Sequence, residues 1–397
     1  MSTTIIATCD FHSSVLDGRT TVAALARWRK AGALIIDAGD FFGGNAFHEW
    51  SRGHVEETIL TTFYDAVIPG NHDMADLMRL RTPGLFPPIV CCNLTPPGAF
   101  GGRWESNLLL TVGDLRVGMV GFVGAQAFGA VPVDEREGFG FTEPTPELLA
   151  VEADGLLGRG ADVVVGVSHS GFDHDVALQR AGVPFPVIIA GHCHSEQYLW
   201  SSKAKHVAKA PELGAGLLRI ELHRGGVRSF AIEHHPPGGR LAVTAGEEEF
   251  ALIAMIAEYE RWSSEVVGTL VAPIPDRKAV AHAVAARARQ VSATDAFVIN
   301  VFAFRAGLPA RVTRGALADA APFDTALVRL TGERRAADVV ELIRRLGEEP
   351  VVAPSVGGSG GVATTAYLAD RLGLPYEPVE PRSSVRSVIT SLFGSLA

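Results

Sequence analysis

Short apolar runs and longer amphipathic stretches alternate along the first 240 residues. Residues 5–9, 33–38, 65–68, 117–120, 163–167 and 187–190 are apolar, rich in β-branched side chains, and mostly bounded by Gly, Asp or Asn. Uninterrupted runs of this length predict buried strands. Stretches 20–30 and 147–157 between them predict helices. Runs 217–222 and 227–233 flank Arg224-Gly225-Gly226, a hairpin signal with a glycine turn.

The pattern breaks at Pro236-Pro237-Gly238-Gly239. Residues 247–262 then predict a helix, with Phe250, Ile253, Ile256 and Ala257 on one face and glutamates on another. Beyond it come a helix over 280–290, strands over 296–300 and 325–330, a helix over 335–346, and a glycine cluster at 357–361. The class expected is α/β. At about 100–200 residues per domain, 397 residues make two or three domains. The expected division is a domain over 1–240, a linker helix over 241–265 and a smaller domain over 266–397.

Composition narrows the function. With 47% apolar residues and no long polar block, disorder is excluded. No apolar window approaches the roughly 18 residues of a membrane span. A net charge of −9 argues against a nucleic-acid polymer as partner. Residues 1–10 carry neither a basic n-region nor a long apolar stretch, so a cytoplasmic location is expected. Cys9, Cys91, Cys92 and Cys193 form neither a disulfide framework nor a C-x-x-C knuckle, and all four are expected reduced.

The chemistry is concentrated at five strand ends. They carry Asp10-Phe11-His12, Asp37-Ala38-Gly39-Asp40, Gly70-Asn71-His72-Asp73, Ser168-His169-Ser170 and Gly191-His192-Cys193-His194. One D-x-H arises easily by chance, and G-N-H-D alone reads as a turn. Five such endings in order, holding five of the 13 histidines, do not. Ligands of open α/β sheets gather beyond the carboxyl ends of strands. The set supplies four carboxylates, an amide oxygen and five imidazoles, enough for two divalent ions sharing one carboxylate. Side-chain alternation turns Cys193 away from its two histidine neighbours.

The series D-x-H, G-D, G-N-H-[DE], H-S-G and G-H-x-H resembles the calcineurin-like metallophosphoesterase superfamily, and more narrowly the two-domain bacterial 5′-nucleotidase family. The resemblance implies a four-layer αββα sandwich followed by a smaller α/β substrate-binding domain. It implies Asp10, His12, Asp40 and His194 on one metal, and Asp40, Asn71, His169 and His192 on a second. His72 would stabilise the transition state and leaving oxygen, with Asp73 or Asp76 supporting it, although neither stands at the family's usual offset.

In the smaller domain the family segments N-G-G-G-I-R and P-F-D-N correspond to Asn300-Val301-Phe302-Ala303-Phe304-Arg305 and Pro322-Phe323-Asp324-Thr325. Arg305 would grip phosphate or ribose, Asn300 would contact the base, and Phe323 would stack on it. Three family glycines are replaced, and no aromatic residue follows the glycine cluster as the family pattern has it. Plain core packing is the competing role for Phe302 and Phe323.

The function implied is a dinuclear-metal phosphomonoesterase in which metal-activated water attacks a nucleotide or nucleotide-like 5′-phosphate, a role in nucleotide catabolism. Zn, Mn, Fe or Co would suit the donors. From residue 266 onward 15 cations face 12 acids, a net of +3, which leaves −12 before it. An acidic metal domain and a slightly basic domain for an anionic metabolite fit that division. Two alternatives stay open: the same chemistry on a cyclic nucleotide, sugar phosphate or biosynthetic intermediate, and a non-catalytic binding module. The filled set of ligand positions argues against the last.

Overall fold

The computed structural model describes residues 3–238, 247–332, 334–354 and 361–394. They divide into two units. The first comprises Met1–Gly43 and Ser51–Ile256, and the second Gly44–Trp50 and Ala257–Ala397. The division falls inside the helix Glu247–Ser263 rather than at an end of it, and a short segment from early in the chain groups with the second unit.

The first unit is built on two sheets. One runs, edge to edge, Gly226–His234, Gly216–His223, Thr3–Thr8, Leu34–Asp37, Ala66–Val67, Ile89–Val90 and Trp104–Glu105. The other runs Leu199–Ser202, Lys205–Lys209, Val187–Ala190, Val163–His169, Leu115–Val123 and Asn107–Val112. Ile5, Ala7, Leu34 and Ile36 from one sheet share a buried core with Val117, Val163, Val165 and Ile189 from the other. Central strands such as Leu34–Asp37, Val163–His169 and Val187–Ala190 are buried on both faces because helices cover the outer ones. Pro146–Gly158 and Phe172–Arg180 pack Leu149, Ala153, Leu156 and Phe172 against Phe122, Val164 and Ile188. Arg19–Lys30 buries Val22, Ala24 and Leu25. This is the four-layer αββα arrangement.

Local chemistry sets the boundaries. Thr145 accepts the N–H of Leu148 and Pro146 opens the helix, a cap and a pre-set φ at its first turn. The strand expected over 163–167 runs on to His169, because pairing with Leu115–Val123 continues as far as His169 opposite Val123. Short polar strands such as Lys205–Lys209 carry too little apolar pattern to be read in advance; Lys205–Lys209 exists because it pairs in parallel with Val187–Ala190.

The second unit holds a five-stranded mixed sheet in the order Pro350–Pro354, Ala296–Asn300, Val362–Thr365, Leu327–Leu330 and Tyr376–Pro378. Alternate residues of Ala296–Asn300 face two cores. Phe297 and Ile299 meet the helices Arg277–Ser292 and Val385–Thr390, while Ala296 and Val298 meet Ala336–Arg345 and Ala366–Arg371. Residues 357–360 of the glycine cluster lie outside the described residues, as do Gly239 and the start of the expected linker. Among the described residues no helix is long and apolar enough to cross a membrane.

Candidate metal centre

The loops following Thr3–Thr8 and Leu34–Asp37 stay paired beyond the strands. Asp10, His12 and Ser13 donate their N–H groups to the carbonyls of Gly39, Asp40 and Phe41, each at 2.9 Å. Holding this course requires left-handed backbone at Asp10, His12, Ser13 and Asp40, with φ of 48°, 47°, 52° and 57°, and His192 joins them at 78°. Such conformations are disfavoured for residues with a Cβ and persist where surrounding structure imposes them, commonly at functional sites.

The motif glycines leave room for the polar side chains. A Cβ on Gly70 would lie 2.1 Å from Asp40 Oδ1, and one on Gly39 would lie 2.5 Å from His169 Nδ1. Any larger residue would push the carboxylate or the ring out of place.

Three groups of donor atoms result, each within 4.8 Å: Asp10, His12 and His194; His12, Asp40 and His72; and Asp40, His169 and His192. Asp40 is common to two of them. His169 Nδ1 is engaged with the Ala38 carbonyl at 2.9 Å, which leaves Nε2 facing Asp40 Oδ2 at 3.2 Å and Asn71 Oδ1 at 3.3 Å. His192 Nδ1 lies 2.9 Å from Asn71 Oδ1. Both Asp10 carboxylate oxygens accept the backbone N–H of His192, at 3.0 and 3.1 Å. The rings of His12 and His194 stack at 5.3 Å, and His72 stands edge-on to His12 at 5.0 Å. All seven residues expected as ligands, with His72, are thus brought together in the first unit.

Electrostatics favour a ligating state at the shared carboxylate. Burial alone would raise Asp40, but His169, His72 and His12 hold its carboxyl well below the usual range. Burial disfavours charge on His169, yet Asp40 beside it lifts the imidazole to about 10. Burial and the charge of His169 together push His192 down to about 3, so its ring is neutral. Burial raises Asp10 to about 6, with His169 acting against it. Zinc, manganese, iron or cobalt ions take ionised carboxylate, neutral imidazole and amide oxygen, so an ion binding here would displace the proton that Asp40 keeps on His169. The residues present fit such ions.

The remaining candidates have other surroundings. Asp73 faces the backbone: its oxygens accept N–H groups from Asp40 (2.8 Å), Gly70 (2.7 Å) and Phe42 (3.0 Å). Asp76 Oδ1 lies 2.7 Å from where a Gly53 Cβ would stand. Asp37 is buried behind the site, accepting from Thr8 Oγ1 and Gly39 N–H. Cys193 turns away as expected, its sulfur accepting the Phe172 N–H at 3.2 Å. Glu212 escaped the sequence reading because it lies outside every strand-end motif; its Oε2 sits 2.6 Å from His194 Nδ1.

In the second unit, the Arg305 guanidinium lies 5.7 Å from the Phe323 ring centre. Asn300 is buried and internally engaged. Its amide oxygen accepts the Phe302 N–H at 3.0 Å and its amide nitrogen donates to Glu348, itself paired with Arg371. Phe302 is exposed beneath Arg277.

In fold the chain is similar to solved 5′-nucleotidase structures. It aligns over 99% of its length, and 96% of the other chain, with a Thermus thermophilus 5′-nucleotidase precursor, at a TM-score of 0.76 and 18% identity. A Candida albicans 5′-nucleotidase aligns over 98% and 97%, with a TM-score of 0.74 and 11% identity. In sequence it is 26% identical over 210 residues to the snake venom 5′-nucleotidase of Crotalus adamanteus. That match covers 50% of this chain but 35% of the relative's length. No family model matches.

Proposed function

We propose that the protein is a dinuclear-metal phosphomonoesterase acting on a nucleotide or a nucleotide-like 5′-phosphate. The observation that carries this is Asp40, whose Oδ2 lies 3.8 Å from His12 Nε2 and 3.2 Å from His169 Nε2, between residues assigned to the two ions. Asp10, His12, Asp40 and His194 would hold one ion, and Asp40, Asn71, His169 and His192 the other. Ions so placed would supply an activated water and neutralise phosphoryl oxygens.

The chain's own residues supply the rest. His72 is half-buried beside His12 and Asp40, and its backbone N–H donates to Asp40 Oδ1 at 2.8 Å. In this reading its imidazole would donate a hydrogen bond to a phosphoryl or leaving oxygen. Arg305 offers a planar fork to phosphate or ribose oxygens, and Phe323 a face to a flat ring.

A second reading, the same hydrolysis on a phosphate ester without a purine, is favoured by Asn300. Both ends of its amide are already bonded within the unit, so it offers little to a base. The test is metal analysis together with phosphate release from a panel of nucleotides and sugar phosphates. Wild-type protein should hold about two ions per chain and lose activity in chelator, and Asp40→Asn should lose ions and activity together. Full activity in excess chelator would refute the proposal.

A further inference from the structure

The turn that follows the strand Lys205–Lys209 touches the donor cluster of Asp10, His12 and His194 at two points. Glu212 Oε2 lies 2.6 Å from His194 Nδ1. The next residue, Leu213, donates its backbone N–H to the Asp10 carbonyl at 2.8 Å. It does so with left-handed backbone, φ 52°, which its Cβ disfavours. The turn is closed by the Ala215 N–H on the Glu212 carbonyl at 2.8 Å, and Thr21 Oγ1 donates to the carbonyl of Gly214.

Lys209 completes the arrangement. Its side chain is buried, and its ammonium donates to the carbonyls of Cys193 (2.8 Å) and Ser195 (2.6 Å) and to Glu212 Oε1. Three donors meet three acceptors, which satisfies a buried ammonium. The two carbonyls belong to the residues on either side of His194. Lys209 thus holds the backbone around His194 while Glu212 holds its ring.

His194 is the donor in most need of this support. Its side chain is 41% exposed, whereas that of His169 is 0% exposed and fixed by packing. A carboxylate beside Nδ1 is the usual partnership of a metal-binding histidine, since it fixes the tautomer that presents Nε2 to an ion.

We propose that Lys209, Glu212 and Leu213 form a positioning clamp that sets the affinity of one ion, the one held by Asp10, His12 and His194. The clamp's direct contacts fall on Asp10 and on His194 with its two chain neighbours. This inference rests on the two-ion reading above.

The test is a Co²⁺ titration of the full chain, read by calorimetry and by visible absorbance of the bound ion. Wild type should take up two ions. Glu212→Ala should weaken one of them by about 10–100-fold and leave the other within about threefold. Glu212→Gln keeps an acceptor for the His194 N–H and nearly the same shape, and should fall between the two. Unchanged affinities in both variants would overturn the clamp while leaving the two-ion reading intact. Equal weakening of both ions would overturn it as well, by showing a general structural role. Fewer than two ions in wild type would overturn the two-ion reading and the clamp with it.

Discussion

The carboxylate of Asp73 accepts the backbone N–H of Asp40 at 2.8 Å, tying the third strand-end motif to a residue that two of the three donor groups share. The N–H groups of Gly70 and Phe42 bind the same carboxylate. Asp73 therefore organises the loops that carry the donors. In Asp73→Ala these buried amides lose their acceptor, at about 1–3 kcal/mol for a group left unsatisfied. The variant should lose about 3 kcal/mol of unfolding free energy and bind metal more weakly. Chemical denaturation and a metal titration check this; unaltered values in both would show that Asp73 is dispensable.

His72 stands beside the donors, and its role is expected in the chemistry rather than in holding ions. His72→Asn should retain near-normal metal content while turnover falls by about 10²–10⁴-fold. Elemental analysis and steady-state kinetics on the same preparation decide it. An emptied metal position would make His72 a ligand instead.

Arg305 and Phe323 are in cation–π contact. Arg305→Ala and Phe323→Ala should each reduce kcat/KM on the natural substrate by about 10–100-fold, the scale of losing a charge-assisted contact. Both should act far less on p-nitrophenyl phosphate. Because each residue orders the other, the double variant should lose less than the product of the two single effects. Equal losses on both substrates would reduce the pair to a structural contact.

Burial holds the Asp37 carboxyl well above the usual carboxylate range, although hydrogen bonds from Thr8 and Gly39 act the other way. The unfolded chain ionises this group near its ordinary value. Between that value and the raised one, the folded state binds more protons, so stability falls as pH rises. Asp37→Asn removes this dependence. In chelator, its melting temperature should decline less steeply than wild type between about pH 5 and pH 8. Identical slopes would refute the assignment.

The candidate donors were legible in the chain because each motif follows an apolar strand. Parallel strands gather ligands beyond their carboxyl ends, so Asp10, His12, Asp40, Asn71, His169, His192 and His194 were nameable as candidates, and the two sheets bring these ends together. The fold class followed from the same alternation. Asp73 shows where motif reading stops: its place beside His72 suggested help in catalysis, whereas the folded loops turn it toward three backbone amides. Asn300 matched a base-contacting position, yet the fold spends its amide on Glu348 and Phe302.

Glu212, Lys209 and the segment Gly44–Trp50 carried no pattern at all. Their roles come from contacts between residues distant in sequence, such as the Leu213 N–H on the Asp10 carbonyl. The chain by itself determined which residues can ligate, because that depends on side-chain chemistry and on local strand periodicity. The tertiary structure decided which donors share Asp40 and which carboxylates merely support them. Those outcomes are set by distances of a few ångströms across the sheet edge, and neither periodicity nor spacing encodes them.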